Sequence, residues 1–408
     1  MQVQRILGTY KGKRSGPTLI FMAGIHGNET SGIEALQEVF STLKSIKPEI
    51  SGAIVGIAGN RAALSQETRY IDEDLNRLWL TEESNSEIIE FKERDEIVET
   101  LDEVLTSETE QVLFFDLHST STESPPFIML SDTLRNRELA QLIGVPIILG
   151  LLEHLKGMFM EATSRSGFPT ILFQGGRNGD ETTVTNFKGM IWKVLQSKCL
   201  LDTKLIPECE SAINLLNSFA PVDKENEFFE IIYSHKIKPE TKFLMKPDYL
   251  GFGYVKKNEV LATADGIEVR SPSKGTLFMP LNQEQGEEGF YLIRPIASKW
   301  IKLSKKLKRF KFHRHLDWLV GVKKINNNPL TYKVDQQITF LWALEIFHLL
   351  GYIKVREDGP ILYMARREDE AKPPTVDEAI QHFKNKSYLR SELKKIKSDW
   401  KIPFSNAQ

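Results

Sequence analysis

The chain has 408 residues, of which 41% are hydrophobic and 26% are charged, and these values are typical of a globular protein with two or three domains. Its formal net charge of −2 excludes a uniformly basic chain, so any surface for nucleic acid or acidic lipid must be local. No apolar run is long enough to span a bilayer, and the first residues show no secretory signal. The two cysteines, Cys199 and Cys209, favour free thiols, and we expect a cytoplasmic protein with no membrane partner.

Strand-like and helix-like segments alternate over the first half of the chain. Four apolar runs have the length of buried strands, at 18–24, 53–58, 112–116 and 170–173. Apolar residues at helical spacing predict helices at 31–43, 86–106, 133–143 and 182–197. Because such alternation is typical of a sheet with helices on both faces, we predict an α/β domain over residues 1–205.

The pattern changes twice in the second half. Residues 206–298 contain short strand-like runs separated by turn residues, which predicts a small β-domain. Residues 299–408 form an α+β C-terminal extension that begins with a basic run. We predict a helix at 335–350 and a hairpin over 352–365, before a lysine-rich tail.

Two short motifs follow predicted strands of the first domain. They read Gly24-Ile-His-Gly-Asn-Glu29 and Asp116-Leu-His118. The close pair His26 and Glu29, with the distant His118, is a pattern by which proteins supply three ligands to a catalytic zinc and leave one position for water. Since the carboxyl ends of strands are where open α/β sheets place their sites, the three side chains are expected to meet there. A lone His-x-x-Glu is weak evidence, because a core histidine beside a surface glutamate is common.

Neighbouring residues strengthen the hypothesis of a site. Asp116 precedes His118 by two residues, so it can orient a metal ligand or a nearby loop. Between the two motifs, Arg69, Asn76 and Arg77 offer two guanidinium groups and an amide to a carboxylate. The alternative for this segment is a solvated charged loop.

These motifs, in their order and spacing, resemble the succinylglutamate desuccinylase/aspartoacylase family of the zinc carboxypeptidase clan. The resemblance covers roughly residues 15–200, and the predicted β-domain is similar to the second domain of that family. It implies a mixed-sheet, zinc-carboxypeptidase-like catalytic domain in which His26, Glu29 and His118 hold Zn²⁺. The family cleaves an acyl group from an N-acyl amino acid.

The resemblance also implies roles for polar residues around the metal. Arg69 is expected near the scissile carbonyl, and Asn76 and Arg77 are expected to bind the substrate carboxylate. The segment 162–169 is similar to a stretch of the family that carries another substrate-binding arginine, which here is Arg165. The alternative for Arg165 is an ordinary surface arginine.

One position departs from the family pattern. The family has a proline, a strand and then Glu-x-Gly, in which the glutamate is the general base, whereas this chain has Gln174 in that register. A neutral amide cannot accept a proton. Zinc still lowers the pKa of a bound water, but general acid–base help typically contributes about 10²–10⁴-fold, so a site with Gln174 at the catalytic position is expected to be slow.

Three explanations of Gln174 stay open. A carboxylate nearby in sequence, such as Glu161, Asp180 or Glu181, replaces the base, although each is more simply a surface residue. Alternatively, the site acts on an easier substrate, such as an activated ester. In the third explanation, the protein is a zinc-binding pseudoenzyme that senses a metabolite.

The basic run at 302–314 interleaves Phe310 and Phe312 with lysine and arginine, which invites a nucleic-acid hypothesis. The balanced overall charge argues against it and favours a solvated connector. The sequence therefore predicts a zinc-dependent deacylase whose partner is a small N-acyl amino acid or a related carboxylate. A carboxypeptidase-like peptidase and a homo-oligomeric assembly remain open.

Overall fold

The computed structural model describes residues 3–81, 85–105, 111–151, 155, 157–221, 227–238, 240–282, 288–339, 346–347, 350–366 and 375–384. The described residues of the first half form seven strands: β1 (Ile6–Lys11), β2 (Arg14–Ala23), β3 (Ser51–Ala58), β4 (Val112–Thr120), β5 (Phe127–Met129), β6 (Ile147–Leu149) and β7 (Thr170–Arg177). They also form six α-helices, and a seventh follows the first half: α1 (Ser31–Ile46), α2 (Arg61–Gln66), α3 (Ile89–Val104), α4 (Leu134–Ile143), α5 (Phe159–Arg165), α6 (Glu181–Lys198) and α7 (Pro207–Ser218). The predicted elements of this half are confirmed, with their ends shifted by a few residues.

The strands of the first half build a mixed sheet. Strands β3, β2, β4 and β7 run parallel, whereas β1 and β5 pair antiparallel to β3 and β7. Alternate residues of β2 enter different cores: Leu19 and Phe21 pack with α1 and α6, while Ile20 and Met22 pack with α3 and α5. Helices therefore cover both faces, and the predicted mixed-sheet α/β class is confirmed.

The next segment continues this sheet. It contains β8 (Phe228–Lys236), β9 (Phe243–Met245), β10 (Tyr254–Val255), β11 (Val260–Ala264), β12 (Ile267–Arg270), β13 (Gly275–Phe278) and β14 (Glu288–Pro295). Strand β8 pairs parallel to β6, and β14, β13 and β10 follow it, while β9, β11 and β12 form a separate sheet. One sheet thus crosses residue 205, where we divided the chain, and that division into domains stays a prediction.

The extension begins with α8 (Ser298–Arg309) and a 3₁₀ turn (Phe312–Trp318). Its further elements are β15 (Val322–Ile325), β16 (Asn328–Asp335), β17 (Tyr352–Asp358), β18 (Ile361–Arg366) and α9 (Val376–Lys384). The antiparallel pair β17 and β18 confirms the predicted hairpin. The predicted helix at 335–350 is wrong at its start, because Asp335 ends β16 in the ladder with β18 and residues 336–339 form a turn. Residues 340–345 and 348–349 of that helix, and the lysine-rich tail after 384, lie outside the described residues.

A buried ion cluster joins α8 to the first half. The Lys308 ammonium donates to the Asp132 backbone oxygen at 2.6 Å and lies 3.0 Å from its carboxylate, which also binds Arg137. Both cysteines are free and buried, in agreement with the sequence. Within the described part of the chain, the helices are too short or too polar to cross a membrane.

Candidate active site

A cavity of about 410 Å³ opens at the carboxyl ends of β2, β4 and β7. Side chains from the loop after β2, from β4 and β7, from the segment 69–77 and from β14 line it. The edge where the sequence places the ligands is therefore a concave site, as expected for strand ends in an α/β sheet.

Three predicted metal ligands meet in the floor of this cavity. One ligand atom each from His26, Glu29 and His118 lies within 4.8 Å of the others, and all three residues are buried. The Nδ1 atoms of His26 and His118 lie 2.7 Å and 3.1 Å from the two oxygens of Glu29. Two imidazole nitrogens and a carboxylate converging in this way form a donor set suited to zinc.

The other nitrogen of each histidine faces a carboxylate. His26 Nε2 lies 3.1 Å from Asp74 Oδ1, and His118 Nε2 lies 3.2 Å from Asp116 Oδ1. Carboxylates in this position orient the rings of metal-binding histidines and raise their basicity. Asp116 was expected from the sequence, whereas Asp74 was not, because its distance from His26 along the chain hides the contact.

The charges of the cluster are strongly coupled. Burial alone raises the pKa of Glu29, but the two histidines outweigh it and hold that pKa well below its usual range. Burial lowers the pKa of His118, but the Asp116 and Glu29 carboxylates raise it to about 10. The negative charge gathered around the imidazoles favours a cation at their centre.

The predicted substrate residues Arg69, Asn76 and Arg77 also line the cavity. Arg69 lies closest to the cluster, with its guanidinium 3.8 Å from Glu29 Oε1 and 3.2 Å from Asp74 Oδ2. Arg77 lies 3.9 Å from Asp74 Oδ2 and 3.8 Å from Glu288 Oε2. Arg69, Asn76 and Arg77 thus form one wall of the cavity beside the histidine cluster, which we call the cationic wall.

A buried glutamate outside the cavity shapes this wall. The Glu90 carboxylate accepts hydrogen bonds from the backbone N–H groups of residues 71, 72 and 73 and from the Asn60 amide. Glu90 is fully buried. This role was not predictable from the sequence, because the pattern of α3 indicates that Glu90 belongs to its polar face.

Gln174 lies beside the histidine cluster. In the parallel pairing of β4 with β7 it is in register with His118, and it lines the same cavity. Its side chain is buried, and among the described residues its Oε1 has no hydrogen-bond partner. The predicted catalytic position is therefore beside His118, but it offers an amide.

Arg165 is not brought to the cavity. Its side chain is 3% exposed, and its guanidinium lies 2.8 Å from the Glu161 carboxylate, which also accepts from the Gly157 N–H. Because Glu161 and Arg165 are four residues apart on α5, the sequence held a signal for this pair. A role for Arg165 in substrate binding stays a prediction.

The described carboxylates that line the cavity are Glu29, Asp74 and Glu288. Glu161, Asp180 and Glu181, which we considered as substitute bases, do not line it in the described part of the chain. Glu288 at the start of β14 was missed, as were Tyr291 on β14 and Arg177 at the end of β7. The two residues of β14 lie far from the motifs in sequence and reach the site only because β14 joins the same sheet through β8.

Comparisons with known proteins identify similar chains. The model of the succinylglutamate desuccinylase/aspartoacylase catalytic domain matches residues 15–172. A succinylglutamate desuccinylase of Pseudomonas aeruginosa is 34% identical over 109 residues, which are 26% of this chain and 32% of that protein. The chain therefore spans about a third of the length of the curated relatives it matches.

Two solved structures share the fold. A succinylglutamate desuccinylase/aspartoacylase from Rhodobacter sphaeroides has a TM-score of 0.52 and 17% identity, with 71% of this chain and 88% of that chain covered. An aspartoacylase family protein from Mesorhizobium loti has a TM-score of 0.50 and 19% identity, with the same coverage. Residues 15–172, which carry the histidine cluster and the cationic wall, match the model of the succinylglutamate desuccinylase/aspartoacylase catalytic domain.

Proposed function

We propose that this protein is a zinc-dependent deacylase that binds N-acyl amino acids. The observation that carries the proposal is the convergence of the metal donor set with the cationic wall in one cavity. The relatives that share the matched region are named for succinylglutamate, an acylated amino acid with several carboxylates. A cavity with several guanidinium groups fits a substrate of that charge.

The donor set fits Zn²⁺ better than the hard cations Mg²⁺ and Ca²⁺. Two imidazoles and one carboxylate suit zinc, whereas magnesium and calcium prefer oxygen ligands. His26, Glu29 and His118 would hold the ion, with Asp74 and Asp116 orienting the two rings. A zinc ion at such a site supplies Lewis acidity, which polarises a carbonyl and lowers the pKa of water.

In this proposal, Arg69 and Arg77 contact different parts of the substrate. Arg69, which is nearest the donor set, is placed to stabilise the negative charge that develops on the acyl carbonyl oxygen. Asn76 and Arg77 stand next along the wall and would hold the free carboxylate of the amino acid. Fixing a free carboxylate favours amino-acid derivatives over internal peptide bonds.

Proton transfer is the step for which Gln174 supplies no acceptor. Gln174 can orient a water molecule through its amide but cannot accept a proton from it. Glu288 is a cavity carboxylate outside the histidine cluster, and its carboxylate lies 3.8 Å from the Arg77 guanidinium. Gln174 therefore favours a second candidate function, in which the protein binds the same ligands without turning them over.

The decisive experiment measures amine release from a panel of N-acetyl and N-succinyl amino acids by zinc-loaded protein, with dipeptides included to detect peptidase activity. Calorimetry on the same panel measures binding. His26→Ala serves as the control without a complete donor set, and Glu288→Gln shows whether that carboxylate assists. Release that depends on His26 supports the deacylase, whereas binding without release supports the second candidate. If no acylated amino acid binds or reacts, both are wrong.

A further inference from the structure

The C-terminal extension returns to the first half of the molecule through α9. This helix begins with a capping box, in which the Glu378 carboxylate accepts from the Thr375 N–H at 2.8 Å and the Thr375 hydroxyl accepts from the Glu378 N–H at 3.2 Å. The end of α9 is fixed on α3, where Lys384 Nζ lies 2.5 Å from Asp102 Oδ2. The helix is therefore defined at both ends and docked on the catalytic half.

The apolar face of α9 inserts one aromatic ring into the core beneath the cationic wall. Phe383 is buried, and its ring centroid lies 5.9 Å from Trp79 and 6.2 Å from Phe159. Trp79 and Phe159 contact each other at 4.8 Å in an edge-to-face arrangement. The three rings form a closed aromatic triad, and such contacts hold rings in defined orientations.

The other two members of the triad anchor the segment that carries the substrate residues. The backbone N–H of Trp79 donates to the Gly157 oxygen at 3.1 Å, and the backbone N–H of Phe159 donates to Asn76 Oδ1 at 2.9 Å. At Gly157 a Cβ atom would lie 2.1 Å from the Arg77 oxygen, so the two backbones touch. A displacement of Trp79 or Phe159 is therefore passed directly to Asn76 and Arg77.

We propose that Phe383 is a positioning residue, through which the extension holds Asn76 and Arg77 in the orientation that binds a substrate carboxylate. The matched catalytic region ends at residue 172, so this support comes from a part of the chain outside it. The inference rests on the proposed function for the identity of the ligand, but the order of the segment 75–80 can be measured without any ligand. Small misplacements of binding groups weaken their interactions steeply, because interiors are close-packed and do not deform continuously.

The test uses full-length, zinc-loaded protein and the variant Phe383→Ala. Phe168→Ala is the matched control, because Phe168 is a buried phenylalanine of the same core that lies one ring removed from the triad. It contacts Phe114 at 5.0 Å, and Phe114 in turn contacts Phe159 at 5.9 Å. Hydrogen–deuterium exchange of residues 75–80 is expected to accelerate by about tenfold or more in Phe383→Ala and to stay near the wild-type rate in Phe168→Ala. Unchanged exchange in Phe383→Ala, or equal acceleration in both variants, would overturn the proposal.

A second readout follows binding of N-succinyl-L-glutamate by calorimetry. The dissociation constant is expected to rise on the order of tenfold in Phe383→Ala, with zinc content unchanged, and to recover largely in Phe383→Leu, which refills the core. Loss of zinc together with affinity would show a general structural effect and overturn the positioning role. If wild-type protein does not bind this ligand while exchange responds as expected, the proposed function fails and the positioning role stands.

Discussion

His118 and Gln174 are neighbours on adjacent parallel strands, yet the two sides of the site differ in chemistry. On the His118 side, the imidazole ring faces the carboxylates of Glu29 and Asp116, so all three groups are ionisable. On the Gln174 side, a buried neutral amide presents an oxygen that has no partner among the described residues. The candidate donor set and the arginines thus lie beside a position that cannot take up a proton.

This difference separates two requirements that hydrolases usually combine. Metal and substrate binding depend on charge complementarity, which the donor set and the arginines provide. Turnover depends further on a group whose pKa lies near the working pH, and an amide has none in that range. Variants on each side of the pair should therefore change different observables.

The largest effect is expected from Glu29→Gln. The carboxylate bridges both histidines, and a neutral amide in its place neither balances a dication nor accepts from two ring nitrogens. We expect zinc to be absent from the purified variant in atomic absorption measurements. Glu288→Gln, which changes a cavity carboxylate outside the cluster, should retain zinc at the wild-type level. Equal zinc in both variants would exclude Glu29 as a ligand.

The next largest effect should come from Gln174→Glu. A carboxylate in register with His118 can accept a proton and return it to the leaving amine, so hydrolysis of an N-acyl amino acid should accelerate by about 10²–10⁴-fold. Gln174→Leu is the control, and it should bind zinc without any gain. If the glutamate variant keeps zinc and substrate affinity but is no faster than wild type, proton transfer is not what limits this site.

A smaller effect is expected from Asp116→Asn. Asp116 is fully buried and faces the Nε2 atom of His118, so its loss should weaken zinc binding by about 10–100-fold without removing a ligand. Competition with a chromogenic chelator measures this affinity. Asp74→Asn should act similarly through His26, whereas Asp72→Asn in the same loop should not. Wild-type affinity in Asp116→Asn would show that the carboxylate does not support the ring.

The Asp132 carboxylate is buried, and it pairs with the side chains of Arg137 and Lys308. Burial raises its pKa, but Arg137 and Lys308 outweigh this and hold the pKa well below its usual range. The cluster should therefore contribute fully above about pH 5 and lose its contribution as pH falls through the unfolded value of about 3.9 and below. Asp132→Asn should cost about 2 kcal/mol at pH 7 and less at pH 3, as measured by urea unfolding. A cost independent of pH would contradict the assignment of this charge.

The three candidate metal donors were predictable from the sequence because they occupy short motifs at predicted strand ends. A run of apolar residues followed by glycine fixes a strand and its carboxyl edge, so the prediction that His26, Glu29 and His118 meet required only the chain order of parallel strands. The same local logic placed Arg69, Asn76 and Arg77 between the motifs. The resemblance to the family, taken in register, identified Gln174 at the position of the general base of that family.

Tertiary structure decided which distant residues join these groups. Glu288 and Tyr291 reach the cavity because β14 enters the same sheet, and Phe383 reaches Trp79 and Phe159 because α9 docks on α3. Arg165, by contrast, was predicted at the cavity from the resemblance, but it does not line the cavity. Its guanidinium pairs with the Glu161 carboxylate on the same helix, α5. Local periodicity encodes the elements and the groups at their ends, whereas pairing between elements depends on the packing of the whole chain, which no short segment specifies.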